Sequence, residues 1–152
     1  MNRSASLFVR SNTMTYKSED EIKNVVRGFE LCTTGKDDFP HSSHLAVAVW
    51  YLRRADLSEA AAMMRSGLKR FLQHHGVEEG KYNETITIFW LRMVKHALGE
   101  AEGSLVASTN AVVTLLKNSS LVFEHYSREK LYSEEAKRAW TEPDVKALPD
   151  NL

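Results

Sequence analysis

Cysteine is nearly absent from this sequence, which contains only Cys32. A single cysteine cannot form an internal disulfide, so the chain is not a disulfide-stapled secreted fold. The scarcity is typical of a reducing compartment, and we expect the protein to lie in the cytoplasm. No histidine is close to Cys32 in sequence, so we interpret it as a small buried residue rather than a nucleophile.

An excess of charge of either sign is also missing. Lys and Arg total 20, Asp and Glu total 20, and the formal net charge is zero. Nucleic-acid-binding proteins and polybasic membrane-binding proteins normally carry a basic excess, so we expect neither partner.

Long apolar runs are absent as well. The longest uncharged stretch, residues 103–116, is rich in Ser, Thr and Asn, whereas a membrane-spanning helix needs about 20 mostly apolar residues. Residues 1–17 contain one short apolar run, Leu7-Phe8-Val9, while a signal peptide needs about 7–15 apolar residues. We therefore interpret residues 1–17 as a loose N-terminal arm, with Met14 as an alternative start.

What the sequence does contain is a series of capped, 3.6-periodic segments. Ser18, Asp56, Asn83 and Ser133 are typical N-caps, and Gly35, Gly76 and Gly103 are expected to end helices. The segments at about 40–54 and 83–102 are apolar on every side, which is typical of central helices. The sequence predicts an all-α fold of five to six helices. We expect an orthogonal or repeat-like bundle of helical hairpins, at 40–76 and 83–117. A single domain would span residues 18–141, and residues 142–152, with Pro143 and Pro149, would form an irregular tail.

A candidate pocket lies where the two central helices begin. His41 and His44 are three residues apart on one helix face, and Glu84 is a third candidate ligand if the two helix starts meet, so the three form a weak candidate metal site. The whole candidate pocket comprises His41, His44, Tyr51, Tyr82, Asn83 and Glu84. Purely structural roles remain open: a solvated His41, a half-buried His44, an N-cap at Asn83 and a first-turn carboxylate at Glu84.

These segments resemble a known family. Phe39-Pro40-His41-Ser42-Ser43-His44-Leu45, Lys81-Tyr82-Asn83-Glu84-Thr85-Ile86-Thr87, Tyr126-Ser127-Arg128-Glu129 and Glu142-Pro143-Asp144 are similar to motifs of small, uncharacterised, all-helical bacterial proteins. The resemblance spans about residues 38–148 and implies no known activity. The family often carries His where this chain has Asn83, which weakens the metal interpretation here.

Two hypotheses of function remain. One is a cytoplasmic small-ligand-binding or protein-interaction domain, because the sequence contains no phosphate loop, dinucleotide fingerprint, nucleophile elbow or HExxH motif. The alternative is a small enzyme or metal-dependent protein that uses His41, His44 and Glu84, with His44 and Glu84 suited to acid–base chemistry. We predict no cofactor and lean away from an enzyme.

Self-association is predicted from the fifth helical segment. One side of this segment carries the small, uncharged residues Ala107, Asn110, Ala111 and Thr114, although an exposed helix normally carries charges. We expect a symmetric homodimer through this side, with the N-terminal arm lying across the partner. The alternative is that the C-terminal segment near Tyr132 and Trp140 covers it.

Overall fold

The structure, a computed structural model, describes residues 15–99 and 103–149. Every regular element in these ranges is helical. The helices are α1 (Glu19–Glu30), α2 (His41–Leu52), α3 (Leu57–His74), α4 (Glu84–Leu98), α5 (Leu105–Leu115), α6 (Val122–His125), α7 (Arg128–Leu131) and α8 (Glu134–Arg138), with 3-10 turns at Lys36–Asp38, Glu79–Lys81 and Ser119–Leu121. Most of the predicted N-terminal arm, residues 100–102 of the predicted fourth helix and the last three residues of the predicted tail lie outside these ranges.

The all-α class is confirmed, but the predicted helix count is too low. The described residues form eight α-helices, because the chain after α5 folds into three short helices separated by N-capping serines. The repeat-like relation between the two hairpins stays a prediction. None of the helices in the described ranges is long and apolar enough to cross a membrane.

Four predicted N-caps form as expected. The side chains of Ser18, Asp56, Asn83 and Ser133 each accept a hydrogen bond from the amide three residues later, at 3.2, 2.8, 3.0 and 3.1 Å. These bonds satisfy amides that the helix itself leaves unpaired.

Two predicted helix ends are wrong. Helix α1 ends at Glu30 instead of continuing to Gly35, because Cys32 takes the left-handed conformation with φ 58°. The Thr33 amide then donates to the Gly28 carbonyl and the Cys32 amide donates to the Phe29 carbonyl, a Schellman turn. Helix α4 ends at Leu98 instead of near residue 102.

Helices α2 and α4 supply much of the core, together with apolar side chains from α1, α3 and α5. In α2 every residue from Leu45 to Val49 is buried. Helix α5 runs antiparallel to α2, because His41 at the start of α2 bonds to Leu116 after α5, while Arg53 after α2 bonds to Ser108 near the start of α5.

Helix α1 packs closely on α3 through an aromatic cluster. The rings of Phe29 and Phe39 stack with centroids 5.0 Å apart, and Phe71 lies 5.3 Å from Phe39. Gly67 allows this approach, since a Cβ there would stand 2.6 Å from the Phe29 ring. The contact fixes α3, whose outer side carries part of the site described below.

The segment after α8 is irregular but hydrogen-bonded along its length. The Tyr126 hydroxyl donates to the Thr141 carbonyl at 2.5 Å, and both the amide and the hydroxyl of Ser127 donate to the Asp144 carboxylate. His125 bonds to the backbone of this segment through its ring and its carbonyl. These bonds hold residues 139–146 against the short helices.

Candidate functional site

A charged cluster lies at the start of α4. The Glu84 carboxylate accepts two hydrogen bonds from the Arg65 guanidinium on α3, at 2.9 and 2.6 Å. The Tyr82 hydroxyl donates to the same carboxylate at 2.6 Å. The acidic residue that the sequence placed in a first helical turn is therefore held in a bidentate ion pair, the strongest geometry available to it.

The protonation states of this cluster follow from its contacts. Burial opposes ionisation of Glu84, but the bonds from Arg65 and Tyr82 outweigh it and lower the pKa of Glu84. Burial and the bond to Glu84 raise the pKa of the Tyr82 hydroxyl. At neutral pH Glu84 is ionised and Tyr82 is protonated, so neither group is set to exchange a proton.

Asn83 and Thr85 attach the C-terminal segment beside this cluster. The Asn83 amide donates to the Leu131 carbonyl at 2.8 Å, while its oxygen caps α4. The buried Thr85 hydroxyl donates to the Ala139 carbonyl and accepts from the Thr141 amide. The start of α4 is thus the support on which α8 and residues 139–141 lie.

A cleft of about 660 Å³ opens between α3, the turn before α4, and α8. Its lining combines charged and aromatic side chains with a short stretch of backbone. The lining residues are Arg65, Lys69, Glu79, Gly80, Tyr82, Glu84, Glu134, Lys137, Arg138, Ala139 and Trp140. Four cations face three carboxylates, and Arg65 is already paired with Glu84.

The remaining cations of the cleft are loosely held or unpaired. Lys137 and Arg138 approach Glu134 only to 3.8 and 3.9 Å, and Glu134 is largely exposed. Lys69 makes no ion pair with any described residue; its ammonium lies 5.1 Å from the centre of the Tyr82 ring. Long ion pairs to an exposed carboxylate contribute little free energy, so Lys137 and Arg138 can exchange Glu134 for another anion readily.

The predicted histidine pair lies outside the cleft lining, with His41 between the end of α5 and α4, and His44 beside Phe39. His41 donates from Nε2 to the Leu116 carbonyl at 2.9 Å, and its ring meets Trp90 edge-on. The half-buried His44 ring packs on Phe39 with centroids 4.4 Å apart. Burial and the neighbouring His41 lower the pKa of His44 to about 4, and burial also lowers the pKa of His41.

Tyr51 lies neither in the cleft nor beside the two histidines. Its hydroxyl donates to the Glu30 carboxylate at 2.5 Å, a contact that ties the end of α2 to the end of α1. Burial and this bond raise the pKa of Tyr51, so the hydroxyl stays protonated.

Of the six predicted pocket residues, the structure therefore brings Tyr82 and Glu84 together in the cleft. Asn83 lies beside them as a cap and a backbone anchor. Among the described residues, no hydrogen bond or ion pair joins His41 or His44 to Glu84. Within the same ranges no three His, Cys, Asp or Glu side chains are placed to hold a metal ion.

Sequence reasoning missed the cations of the cleft. Arg65 and Lys69 are four residues apart and so share one face of α3, and this spacing was the available signal. Lys137, Arg138 and Trp140 gave none, because their place in the cleft depends on bonds from Thr85 and Tyr126 to a segment far along the chain.

Comparisons of the chain with protein-family models, with curated proteins and with solved structures found no match. The family resemblance of the motifs therefore stays a prediction. Any functional conclusion depends on the geometry of the cleft.

Proposed function

We propose that the protein is a cytoplasmic small-ligand-binding domain whose site is this cleft, and that the ligand carries a negative charge. The observation that carries the proposal is Lys69, a cation in the cleft that forms no ion pair in the described ranges. The Glu84 carboxylate, whose charge it favours, is already bonded to Arg65 and Tyr82. An anion would join Lys69 and compete with the exposed Glu134 for Lys137. The buried, unpaired Cys32 is in keeping with a reducing compartment.

Binding is favoured over catalysis by the protonation states. Glu84 is ionised and doubly bonded to Arg65, and Tyr82 is held protonated, so the fixed groups orient a ligand rather than transfer protons to it. The enzyme hypothesis based on His41, His44 and Glu84 stays a prediction, and among the described residues no hydrogen bond or ion pair between either histidine and Glu84 supports it.

A thermal-shift screen tests the proposal. The panel would be acetate, succinate, citrate and methyl phosphate, with acetamide and succinamide as neutral counterparts. A ligand present at a hundred times its Kd stabilises the fold by about 2.7 kcal/mol, which raises the Tm by roughly 5–10 °C.

We expect anions to raise the Tm and their neutral counterparts to have no effect. Lys69→Gln and Lys137→Gln should each reduce the shift, whereas Lys95→Gln, an exposed lysine outside the cleft lining, should not. If no anion raises the Tm, or if Lys69→Gln responds as strongly as the unaltered protein, the proposal is wrong.

The homodimer through α5 also stays a proposal. Ala107, Ala111 and Thr114 are exposed, and the adjoining Leu115 is 67% exposed, which leaves an uncharged surface in water. Asn110 is engaged within the chain, because its amide clasps the backbone of Tyr16 through two hydrogen bonds. The proposed contact is therefore made by the small side chains and Leu115.

A further inference from the structure

A second groove adjoins the cleft, and its lining includes two aliphatic side chains, Leu72 and Val77, that the cleft lacks. It encloses about 400 Å³ and shares Lys69, Glu79 and Tyr82 with the cleft. Its other lining residues are Leu72, Gln73, Gly76 and Val77. The two spaces are therefore adjacent, and Tyr82 belongs to the boundary between them.

The apolar part of the groove is created by the way α3 ends. Gly76 takes a left-handed φ of 72°, and the Val77 amide donates to the Leu72 carbonyl at 2.9 Å. In a Schellman turn these two positions usually bring their apolar side chains into contact. Leu72 and Val77 remain half-buried and form an aliphatic surface beside the boundary.

Lys69 stands where the polar and apolar parts meet. Its ammonium lies over the Tyr82 ring, and no described residue forms an ion pair with it. The hydroxyl end of Tyr82 is fixed by Glu84 on the cleft side. A ligand anion at Lys69 would thus have charged groups on one side and aliphatic side chains on the other.

We infer that the ligand is an amphipathic anion with an aliphatic chain. Its charged end lies in the cleft against Lys69, with Lys137 within reach, and its chain passes Tyr82 to cover Leu72 and Val77. This inference rests on the proposed function, because it assumes that the cleft binds the anionic end. It adds the chemical class of the remainder of the ligand.

A chain-length series of acids tests the inference. Acetate, butanoate, hexanoate and octanoate would be titrated into the protein by isothermal calorimetry, with octanol and octylamine as controls for the charged end. Each fully buried methylene strengthens binding by about fourfold, so octanoate should bind at least about tenfold tighter than butanoate even in a partly open groove.

Variants test whether the gain in affinity with chain length comes from the groove. Val77→Ser should lower the gain per methylene, while Leu31→Ser, at an exposed leucine outside both linings, should leave it unchanged. Lys69→Met should weaken binding of octanoate. If Val77→Ser fails to fold, the series on the unaltered protein still decides the question.

The outcomes separate the two proposals. Equal affinity for all four acids, with dependence on Lys69, would overturn the aliphatic chain and leave the anion site intact. Octanol or octylamine binding as tightly as octanoate would overturn the amphipathic anion. No binding by any acid here, together with no shift in the thermal screen, would overturn both.

Discussion

Cys32 stands in a conformation that most side chains avoid. Its φ of 58° is left-handed, a conformation in which the residue after a helix is usually Gly. Gly76 takes this conformation in the corresponding turn after α3. A non-glycine residue there is disfavoured by about 1–2 kcal/mol. The buried side chain of Cys32 offsets this, because it packs in the core beside α1.

Substitution of Cys32 should therefore depend on shape rather than on thiol chemistry. We expect Cys32→Val to lower the free energy of unfolding by about 1–2 kcal/mol beyond the strain already present, since β-branched residues fit the left-handed region poorly. Cys32→Gly should stay within about 1 kcal/mol, as relief of strain offsets lost burial. Urea unfolding measures both. Leu31→Val at the preceding exposed residue is the control, and a Cys32→Val variant as stable as that control would contradict the expectation.

His44 should make stability depend on pH. Its pKa in the folded protein is about 4, whereas an unfolded histidine titrates near 6.5. Between these values the unfolded chain binds more protons, so stability falls as pH is lowered from about 6.5 towards 4, by at most about 3 kcal/mol. His44 therefore contributes no penalty above about pH 6.5, where both states are neutral.

His44→Gln should flatten this part of the pH profile. Urea unfolding at pH 4, 5, 6 and 7 would measure it, with His96→Gln on an exposed position of α4 as the control. Equal pH dependence in the His44 variant and the unaltered protein would show that His44 is protonated in the folded state as readily as in the unfolded one.

At the scale of elements, Asn83 has two tasks. It caps α4 with its oxygen and holds the carbonyl at the end of α7 with its amide nitrogen. Removal of both in Asn83→Ala should lower the free energy of unfolding by about 2–4 kcal/mol, from a lost cap and an unpaired buried carbonyl. Ser104→Ala removes only the exposed cap of α5 and should lower it by about 1 kcal/mol.

Asn83→Asp separates the two tasks. Aspartate keeps the capping oxygen but loses the donor to Leu131, so this variant should also be clearly destabilised. Hydrogen exchange of residues 131–141 would report whether that segment loosens first. An aspartate variant as stable as the unaltered protein would show that the Leu131 bond adds no stability.

These elements explain how far the sequence could predict the fold. The caps at Ser18, Asp56 and Asn83 were readable because an N-cap and its partner amide are three residues apart. The end of α1 was not readable, because nothing local marks Cys32 as left-handed. Only burial of its side chain against other helices makes that conformation acceptable.

The candidate site was likewise predictable only where its contacts lie close together in sequence. Tyr82 and Glu84, both assigned to the candidate pocket, do meet, but the ionic partner of Glu84 is Arg65 on α3, nineteen residues away. His44 instead meets Phe39, so the predicted convergence with Glu84 has no contact behind it among the described residues. The sequence indicates which polar residues lie at the start of α4, but it does not indicate which helices pack against that end of α4.

At the scale of the whole molecule, the exposed side of α5 predicts association. No charged residue lies between positions 103 and 116, and the side chains at 107, 111 and 114 are small enough for close helix approach. Ala111→Arg should convert a dimer into a folded monomer. Light scattering measures the mass, and Ala62→Arg on the exposed side of α3 is the control. A monomer mass for the unaltered protein at high concentration would contradict the dimer.

The attachment of the C-terminal segment to Thr85 also sets an order of events during synthesis. The two ends of the Thr85–Ala139 bond are 54 residues apart, and a ribosome adds about 5–20 residues per second, so roughly 3–11 seconds separate them. During that interval α3 and α4 can already pair through Arg65 and Glu84, while the wall containing Trp140 does not yet exist. A nascent chain at that stage presents an open half-site, and the cleft is complete only after Ala139 and Trp140 have been added.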